Sequence, residues 1–162
     1  MKTPFNLNGD DIVIDSEPDE KLINVLRDAG IFSVKCGCNT GNCGSCTVLL
    51  DDKPVPSCLL TAAAVRDCSV VTLDAFKKTS AWKDIESGFR QCGVHLCGYC
   101  DAGKVFAIYT MIRDNQRPSK ESVIQVIKQF PCKCCETEVL ANSVLIAATA
   151  HKKRMAGKKN GK

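Results

Sequence analysis

The sequence has few of the side chains on which acid–base and nucleophilic catalysis depend. Its 162 residues include two histidines, His95 and His151, and 6% are aromatic. No Ser–His–Asp arrangement and no phosphate-binding loop is present, and the glycines of residues 41–44 do not form a dinucleotide fingerprint. We expect His95 to be exposed or locally hydrogen-bonded rather than a ligand or a base. The chain therefore offers no candidate for a substrate-level catalyst.

Long apolar runs are also missing. No run reaches the roughly 18 residues that a membrane-spanning helix needs. Residues 1–5 lead directly into polar sequence, so we expect no secretory signal and a cytoplasmic location, where clustered cysteines are more often metal ligands than disulfides. The apolar fraction of 44% allows a folded core. Two small domains would each have a small core, however, and bound metal would add rigidity.

Positive charge is concentrated at the end of the chain. The formal net charge is +4, but residues 151–162 contain six lysines and arginines and no acid, so the preceding residues sum to −2. We expect residues 152–162 to form a solvated, flexible basic tail, with binding to an acidic partner surface as the alternative. We expect no nucleic-acid partner.

The first half of the chain has the pattern of strands. Residues 5–7 and 11–14 flank the turn Asn8-Gly9 and predict a hairpin, and residues 47–50 and 53–56 predict a second one around Asp51-Asp52. Residues 69–73 predict one more strand. A short helix opens at Pro18, and Gly30 stands where a glycine ends a helix. We predict a mixed sheet with one helix packed against it.

The second half of the chain has helical periodicity. Ser119 is a predicted N-cap, and residues 75–80 form a polar boundary without a clear period. We predict an α+β chain with domains at residues 1–76 and 80–151, the second formed by four helices. Their apolar faces are Trp82, Ile85 and Phe89; Val105, Ile108, Tyr109 and Ile112; Val123, Val126, Ile127 and Phe130; and Val139, Leu140, Val144 and Ala147.

Twelve cysteines are the most informative feature that is present, and eight of them form two sets of four. The first cysteine set follows the pattern C-x4-C-x2-C with a fourth member after eleven further residues, and consists of Cys38, Cys43, Cys46 and Cys58. This spacing is typical of a plant-type [2Fe–2S] cluster. Gly37, Gly41 and Gly44 allow the loop to bend closely around it. A structural zinc site is the alternative, but zinc prefers paired C-x2-C knuckles. Cys36 is a rival to Cys38 as the first ligand, but its spacing to Cys43 would not fit the C-x4-C pattern.

The second cysteine set consists of Cys97, Cys100, Cys132 and Cys134. Each pair precedes a predicted helix, so two helix N-termini would face one cluster and favour its negative charge. A zinc site or a redox dithiol is the alternative for this set alone, and the presence of the first set favours iron and sulfide. Cys135 directly follows Cys134 and is an alternative ligand. Cys36, Cys68 and Cys92 are unassigned, and we expect Cys68 and Cys92 to be small buried apolar residues.

The order of these motifs resembles the two-cluster iron–sulfur subunit of the molybdenum hydroxylases, the family of xanthine dehydrogenase, aldehyde oxidoreductase and carbon monoxide dehydrogenase. The resemblance extends from about residue 5 to about residue 151. It rests on segments 42–50, 54–59, 97–100 and 132–134. It implies a plant-ferredoxin-like β-grasp domain followed by an all-α four-helix bundle. It also implies two [2Fe–2S] clusters within an oxidoreductase complex whose molybdopterin lies on a large partner subunit and whose FAD lies on a medium one. The second set would be nearer the pterin and the first nearer the flavin.

Three departures from the family pattern lie on the pterin-facing side. Leu96 stands where the family has glutamine, Asp101-Ala102 where it has Thr-Pro, and Lys133 where it has arginine, whose planar fork lysine cannot form. We infer a divergent member whose partner holds its cofactor differently or lacks the pterin. Two other functions remain as alternatives: a two-cluster carrier for a non-molybdenum oxidoreductase, and a zinc-stabilised interaction module.

Overall fold

A five-stranded mixed sheet occupies the first half of the protein. The computed structural model describes residues 1–159. The strands and first helix are β1 Lys2–Leu7, β2 Asp10–Asp15, α1 Leu22–Asp28, β3 Thr47–Leu50, β4 Lys53–Pro56 and β5 Ser69–Val71. The strand order in the sheet is β2-β1-β5-β3-β4. β1 pairs antiparallel with β2 and parallel with β5, and β3 pairs antiparallel with β4 and β5.

Both predicted hairpins are present, and their turns explain why. Asn8 and Gly9 have φ angles of 59° and 101°, and Asp51 and Asp52 have φ angles of 47° and 66°. Two successive residues with positive φ form the type of turn whose twist matches that of the flanking strands. The predicted glycine after α1 is also present, because Gly30 follows the helix with a φ of 83°.

The core of the sheet domain includes part of the first cysteine set. Leu22 and Leu26 of α1 are fully buried against Val48 and Val70 of the sheet. Cys46 and Cys58 belong to the same cluster of buried residues. The first set is therefore anchored in the hydrophobic core, and its sulfurs are shielded from water on that side.

Five helices follow the sheet, and the last four form the predicted bundle. The helices are α2 Leu73–Phe76, α3 Ser80–Cys92, α4 Asp101–Asp114, α5 Lys120–Ile127 and α6 Thr137–Lys159. Ser119 caps α5, as predicted, by accepting a hydrogen bond from the backbone N–H of Ser122 at 3.2 Å. α3 and α6 pack so closely that a Cβ atom on Gly88 would lie 2.1 Å from the Ser143 carbonyl oxygen. The α+β class with a ferredoxin-like domain and a helical domain is confirmed.

The strand predicted over residues 69–73 is shorter than expected. β5 ends at Val71, and the one-turn helix α2 begins at Leu73. The backbone N–H of Thr72 donates to the Asn8 side chain at 2.8 Å, while Leu73 and Phe76 turn into the helical core. Part of the predicted polar boundary is therefore a helix that joins the two cores.

The prediction of a flexible basic tail from residue 152 is wrong for residues 152–159. α6 continues to Lys159. Asp84 of α3, which is buried, accepts a hydrogen bond from Arg154 Nε at 2.8 Å and lies 3.0 Å from His151 Nδ1. These interactions hold the C-terminal part of α6, beyond its predicted apolar residues, against α3. Residues 160–162 of the predicted tail lie outside the described residues. No helix within residues 1–159 is both long enough and apolar enough to cross a bilayer.

Candidate metal centres

The first cysteine set surrounds a loop that folds back on its own sulfurs. Cys38 is half-buried in this loop, whereas Cys43, Cys46 and Cys58 are at most 4% exposed. The backbone N–H groups of Thr40 and Cys43 donate to Cys38 Sγ at 3.4 Å, and the N–H of Ser45 donates to Cys43 Sγ at 3.4 Å. Amide donors aimed at sulfur stabilise thiolates and tune an iron–sulfur cluster.

The surroundings of the first set favour a thiolate at Cys38 but oppose one at Cys58 unless a metal is bound. Hydrogen bonds from Thr40, and then from Cys43, lower the pKa of Cys38 to about 6. Burial, and then the neighbouring Cys46, raise the pKa of Cys58 to about 11. A buried thiol beside a second thiol stays protonated unless a cation is present to stabilise its anion. Iron supplies that charge, so the four side chains fit a thiolate-ligated cluster.

Gly37 leaves space in the loop for the sulfur of Cys43. A Cβ atom on Gly37 would lie 2.7 Å from Cys43 Sγ and 3.0 Å from Ser45 Oγ. Real Cβ atoms do not approach neighbours this closely, so a larger residue would displace the sulfur. The loop is therefore shaped around the position of Cys43.

The second cysteine set comes together at the entrance to the helical bundle. Cys97 and Cys100 precede α4, and Cys132 and Cys134 lie between α5 and α6. The sulfurs of Cys97, Cys132 and Cys134 all lie within 4.8 Å of one another, and Cys97 and Cys132 are 3.4 Å apart. Burial raises the pKa of Cys100 to about 11; Lys104 opposes this shift and Cys132 adds to it. Three of the four predicted sulfurs thus lie together, and Cys132 is close enough to Cys100 to raise the pKa of Cys100, so the four side chains fit a second thiolate-ligated cluster.

Cys134 rather than Cys135 is directed toward the other sulfurs of the second set. Cys135 packs against the helical core, and its Sγ donates to the Glu136 carbonyl at 3.6 Å. Burial, followed by the charge of Cys134, raises the pKa of Cys135.

The remaining cysteines make local contacts. Cys36 is exposed and hydrogen-bonds Asn39 at 3.1 Å, and Cys68 hydrogen-bonds the Arg66 carbonyl at 3.4 Å. Cys92 is half-buried against the helical core. Cys68 and Cys92 are therefore less deeply buried than the sequence predicted.

Lys104 is a part of the second site that the sequence did not reveal. Its side chain is 2% exposed. Its Nζ donates to the Cys132 carbonyl at 2.9 Å and lies 3.7 Å from Cys134 Sγ. Periodicity alone would place a lysine in water, and only the fold shows that this one faces the cysteines.

The two cysteine loops contact each other directly. Ser45 Oγ, between two cysteines of the first set, donates to the carbonyl of Tyr99, between two cysteines of the second set, at 2.6 Å. The Gly103 N–H donates to the Gly44 carbonyl at 3.0 Å, and the Lys35 ammonium bonds the Gly98 carbonyl. The two sites are therefore neighbours joined by hydrogen bonds.

The positions at which the sequence departs from the family pattern have different surroundings. Leu96 is half-buried against the helical core and, with His95 and Asp101, lines an open groove of about 320 Å³. Lys133 is exposed between two cysteines, and His95 is exposed as predicted. Apolar packing by Leu96 is the role that the structure gives this position.

Two family models cover most of the chain. Residues 5–72 match the 2Fe-2S iron-sulfur cluster binding domain, and residues 72–145 match the [2Fe-2S] binding domain. The nicotinate dehydrogenase small FeS subunit of Eubacterium barkeri is 32% identical over 131 residues, which are 80% of this chain and 83% of that protein. The xanthine dehydrogenase iron-sulfur-binding subunit of Escherichia coli O157:H7 is 29% identical over 86% of this chain and 89% of its own.

Solved structures give the same result for the fold. Quinoline 2-oxidoreductase from Pseudomonas putida 86 superposes with a TM-score of 0.83 and 30% identity over 96% of both chains. The aldehyde oxidoreductase from Desulfovibrio desulfuricans ATCC 27774 gives a TM-score of 0.81 with 28% identity over 94% of this chain and 17% of that one. These findings confirm the resemblance inferred from the motifs. The chain belongs to the family of small iron–sulfur subunits of molybdenum hydroxylases, electron-transfer subunits that carry two [2Fe–2S] clusters.

Proposed function

We propose that this chain relays electrons from a molybdopterin site on a large partner subunit to FAD on a medium partner subunit. The first cysteine set, Cys38, Cys43, Cys46 and Cys58, holds one [2Fe–2S] cluster within a domain of residues 1–76. The second set, Cys97, Cys100, Cys132 and Cys134, holds the other within a domain of residues 80–151. Each cluster accepts and donates one electron at a time. A cytoplasmic location accords with twelve cysteines that form no disulfide among the described residues.

The contact between the two cysteine loops is the observation that carries this proposal. Ser45 and Tyr99 each lie between two cysteines of their set, and a 2.6 Å hydrogen bond joins them. The two clusters held by these loops are therefore close together, which a relay of single electrons needs. A protein that used zinc only for rigidity would not need its two sites to be adjacent.

Single-ligand variants test which cysteines hold which cluster. Cys43→Ser should remove one electron paramagnetic resonance (EPR) signal of the reduced chain and keep the other, and Cys100→Ser should do the reverse. Cys134→Ala should remove the second signal, whereas Cys135→Ala should keep it. Loss of the second signal in Cys135→Ala, with Cys134→Ala unaffected, would contradict the ligand set.

Purification of the native complex tests the partners. Affinity capture of this chain should recover a large subunit with molybdenum and a medium subunit with FAD. The departures at Leu96, Asp101 and Lys133 favour one specific alternative, a two-cluster carrier for an oxidoreductase without molybdenum. Repeated recovery of FAD without molybdenum would establish that alternative.

A further inference from the structure

Lys104 is the one lysine or arginine within residues 1–158 whose side chain is buried; it is 2% exposed. It is the fourth residue of α4 and lies four positions after Cys100, at the end of the first helical turn. The first turn is the positive end of the helix dipole, where a second positive charge is unfavourable. Burial adds the cost of removing an ammonium group from water. This lysine therefore needs a strong negative partner.

No carboxylate in the described part of the chain supplies that partner. None of the ion pairs there includes Lys104. Among the described residues, its Nζ has two hydrogen-bonding partners, the Cys132 carbonyl at 2.9 Å and Cys134 Sγ at 3.7 Å. The carbonyl is neutral, so the negative charge must come from the sulfur ligands. A thiolate-ligated cluster is the partner that makes this buried charge favourable.

We propose that Lys104 is a positioning residue of the second cluster, whose fixed charge raises the reduction potential of that cluster and whose hydrogen bond holds the Cys132–Cys134 segment against α4. The inference rests on the proposed ligand set. Four thiolates and two sulfides around two irons give the oxidised cluster a net charge of about −2 and the reduced one about −3. A nearby positive charge stabilises the more negative state more strongly, particularly when water is excluded.

The neighbouring Lys133 provides a matched control. It stands between Cys132 and Cys134 in the sequence but is exposed to solvent. Water screens the charge of an exposed lysine, so its effect on the cluster should be small. Lys104 and Lys133 both lie next to ligands of the second cluster, and they differ mainly in whether the side chain is buried.

The experiment is an EPR-monitored redox titration of the purified, cluster-loaded chain and three variants. Lys104→Gln removes the charge but keeps a donor for the Cys132 carbonyl, Lys104→Arg keeps the charge, and Lys133→Gln is the control. We expect Lys104→Gln to move the midpoint of the second cluster to a more negative potential. The first cluster should titrate unchanged in every variant, and Lys104→Arg and Lys133→Gln should stay near the wild-type values.

An unchanged second midpoint in Lys104→Gln would overturn the inference, and so would an equal shift in Lys133→Gln. Loss of the second signal in Lys104→Gln but not in Lys104→Arg would support the positioning role of the charge. A wild-type chain without a second signal would instead contradict the proposed function, which keeps the two failures distinguishable.

Discussion

At the residue scale, Gly44 and Gly103 allow the two cysteine loops to meet. A Cβ atom on Gly103 would lie 2.8 Å from Gly44 Cα and 2.6 Å from the ring of Phe130. The backbone cannot move away without breaking the Gly103–Gly44 hydrogen bond. The contact between the two cysteine loops thus requires glycine at position 103.

We predict that Gly103→Ala destabilises the protein by about 1–3 kcal/mol, the range for overpacking a well-packed site. Urea unfolding of the cluster-loaded chain measures this change. Gly157→Ala is the control, because a Cβ there meets nothing within 4 Å and alanine favours the helix by up to about 1 kcal/mol. Equal stability of Gly103→Ala and the wild type would contradict the close approach.

The sequence alone predicts the roles of some of these residues but not of others. The eight cysteines were predicted from spacing, since cluster ligands must recur at intervals set by the cluster. Lys104 and Gly103 gave no such signal, because their importance comes from what the fold brings beside them. Lys104 meets residues 28 and 30 positions away, and no local pattern encodes that distance.

At the element scale, α3 and α6 are joined by a buried polar group as well as by apolar packing. Asp84 accepts a hydrogen bond from Arg154 in the C-terminal part of α6, and His151 lies beside it. These partners are 67 and 70 residues from Asp84 in the chain. This separation explains why the basic residues suggested a free tail when only the sequence was considered.

We predict that Asp84→Asn lowers the free energy of unfolding by about 1–3 kcal/mol, because Arg154 loses its charged acceptor in a half-buried position. Urea unfolding monitored by circular dichroism measures it. The control is Glu86→Gln on the same helix, which removes an exposed pair with Arg90 and should change stability by no more than about 1 kcal/mol. Equal effects of the two changes would contradict the role of Asp84.

The connection from α5 to α6 has few backbone hydrogen bonds of its own, so we expect bound metal to contribute to its order. Within the described residues, no backbone N–H of residues 132–136 donates a hydrogen bond to another backbone group. We predict that removing the clusters accelerates amide exchange in residues 132–136 by at least tenfold, while residues 47–56 of the second hairpin change little. Hydrogen-exchange mass spectrometry of loaded and stripped chain measures this. Unchanged exchange at residues 132–136 would show that the segment is ordered without metal.

At the scale of the whole molecule, the two halves are fixed to each other at two places. The cysteine loops meet at Gly44 and Gly103. Farther away, Asp52 in the β3–β4 turn accepts hydrogen bonds from Tyr109 at 2.9 Å and from Arg113 at 2.6 Å, both on α4. Two separate contacts fix both the distance between the two halves and their relative orientation. The two cluster sites are thereby held in fixed positions relative to each other.

The sequence predicted the secondary-structure elements of the molecule better than the contacts between its two halves. Turn chemistry and periodicity predicted both hairpins and the four-helix bundle, because these features are local. The short helix α2 and the pairing of Asp52 with Arg113 depend on the contact between the two halves. Such contacts follow from the folded arrangement, and a single sequence does not specify them in a local pattern.

The most direct test of the account is the metal content and EPR spectrum of the purified chain. Two [2Fe–2S] clusters predict about four irons and about four labile sulfides per chain, visible absorbance, and two distinct signals after reduction. Tightly bound zinc in a colourless protein, with no signal after reduction, would contradict the assignment of both cysteine sets to iron–sulfur clusters.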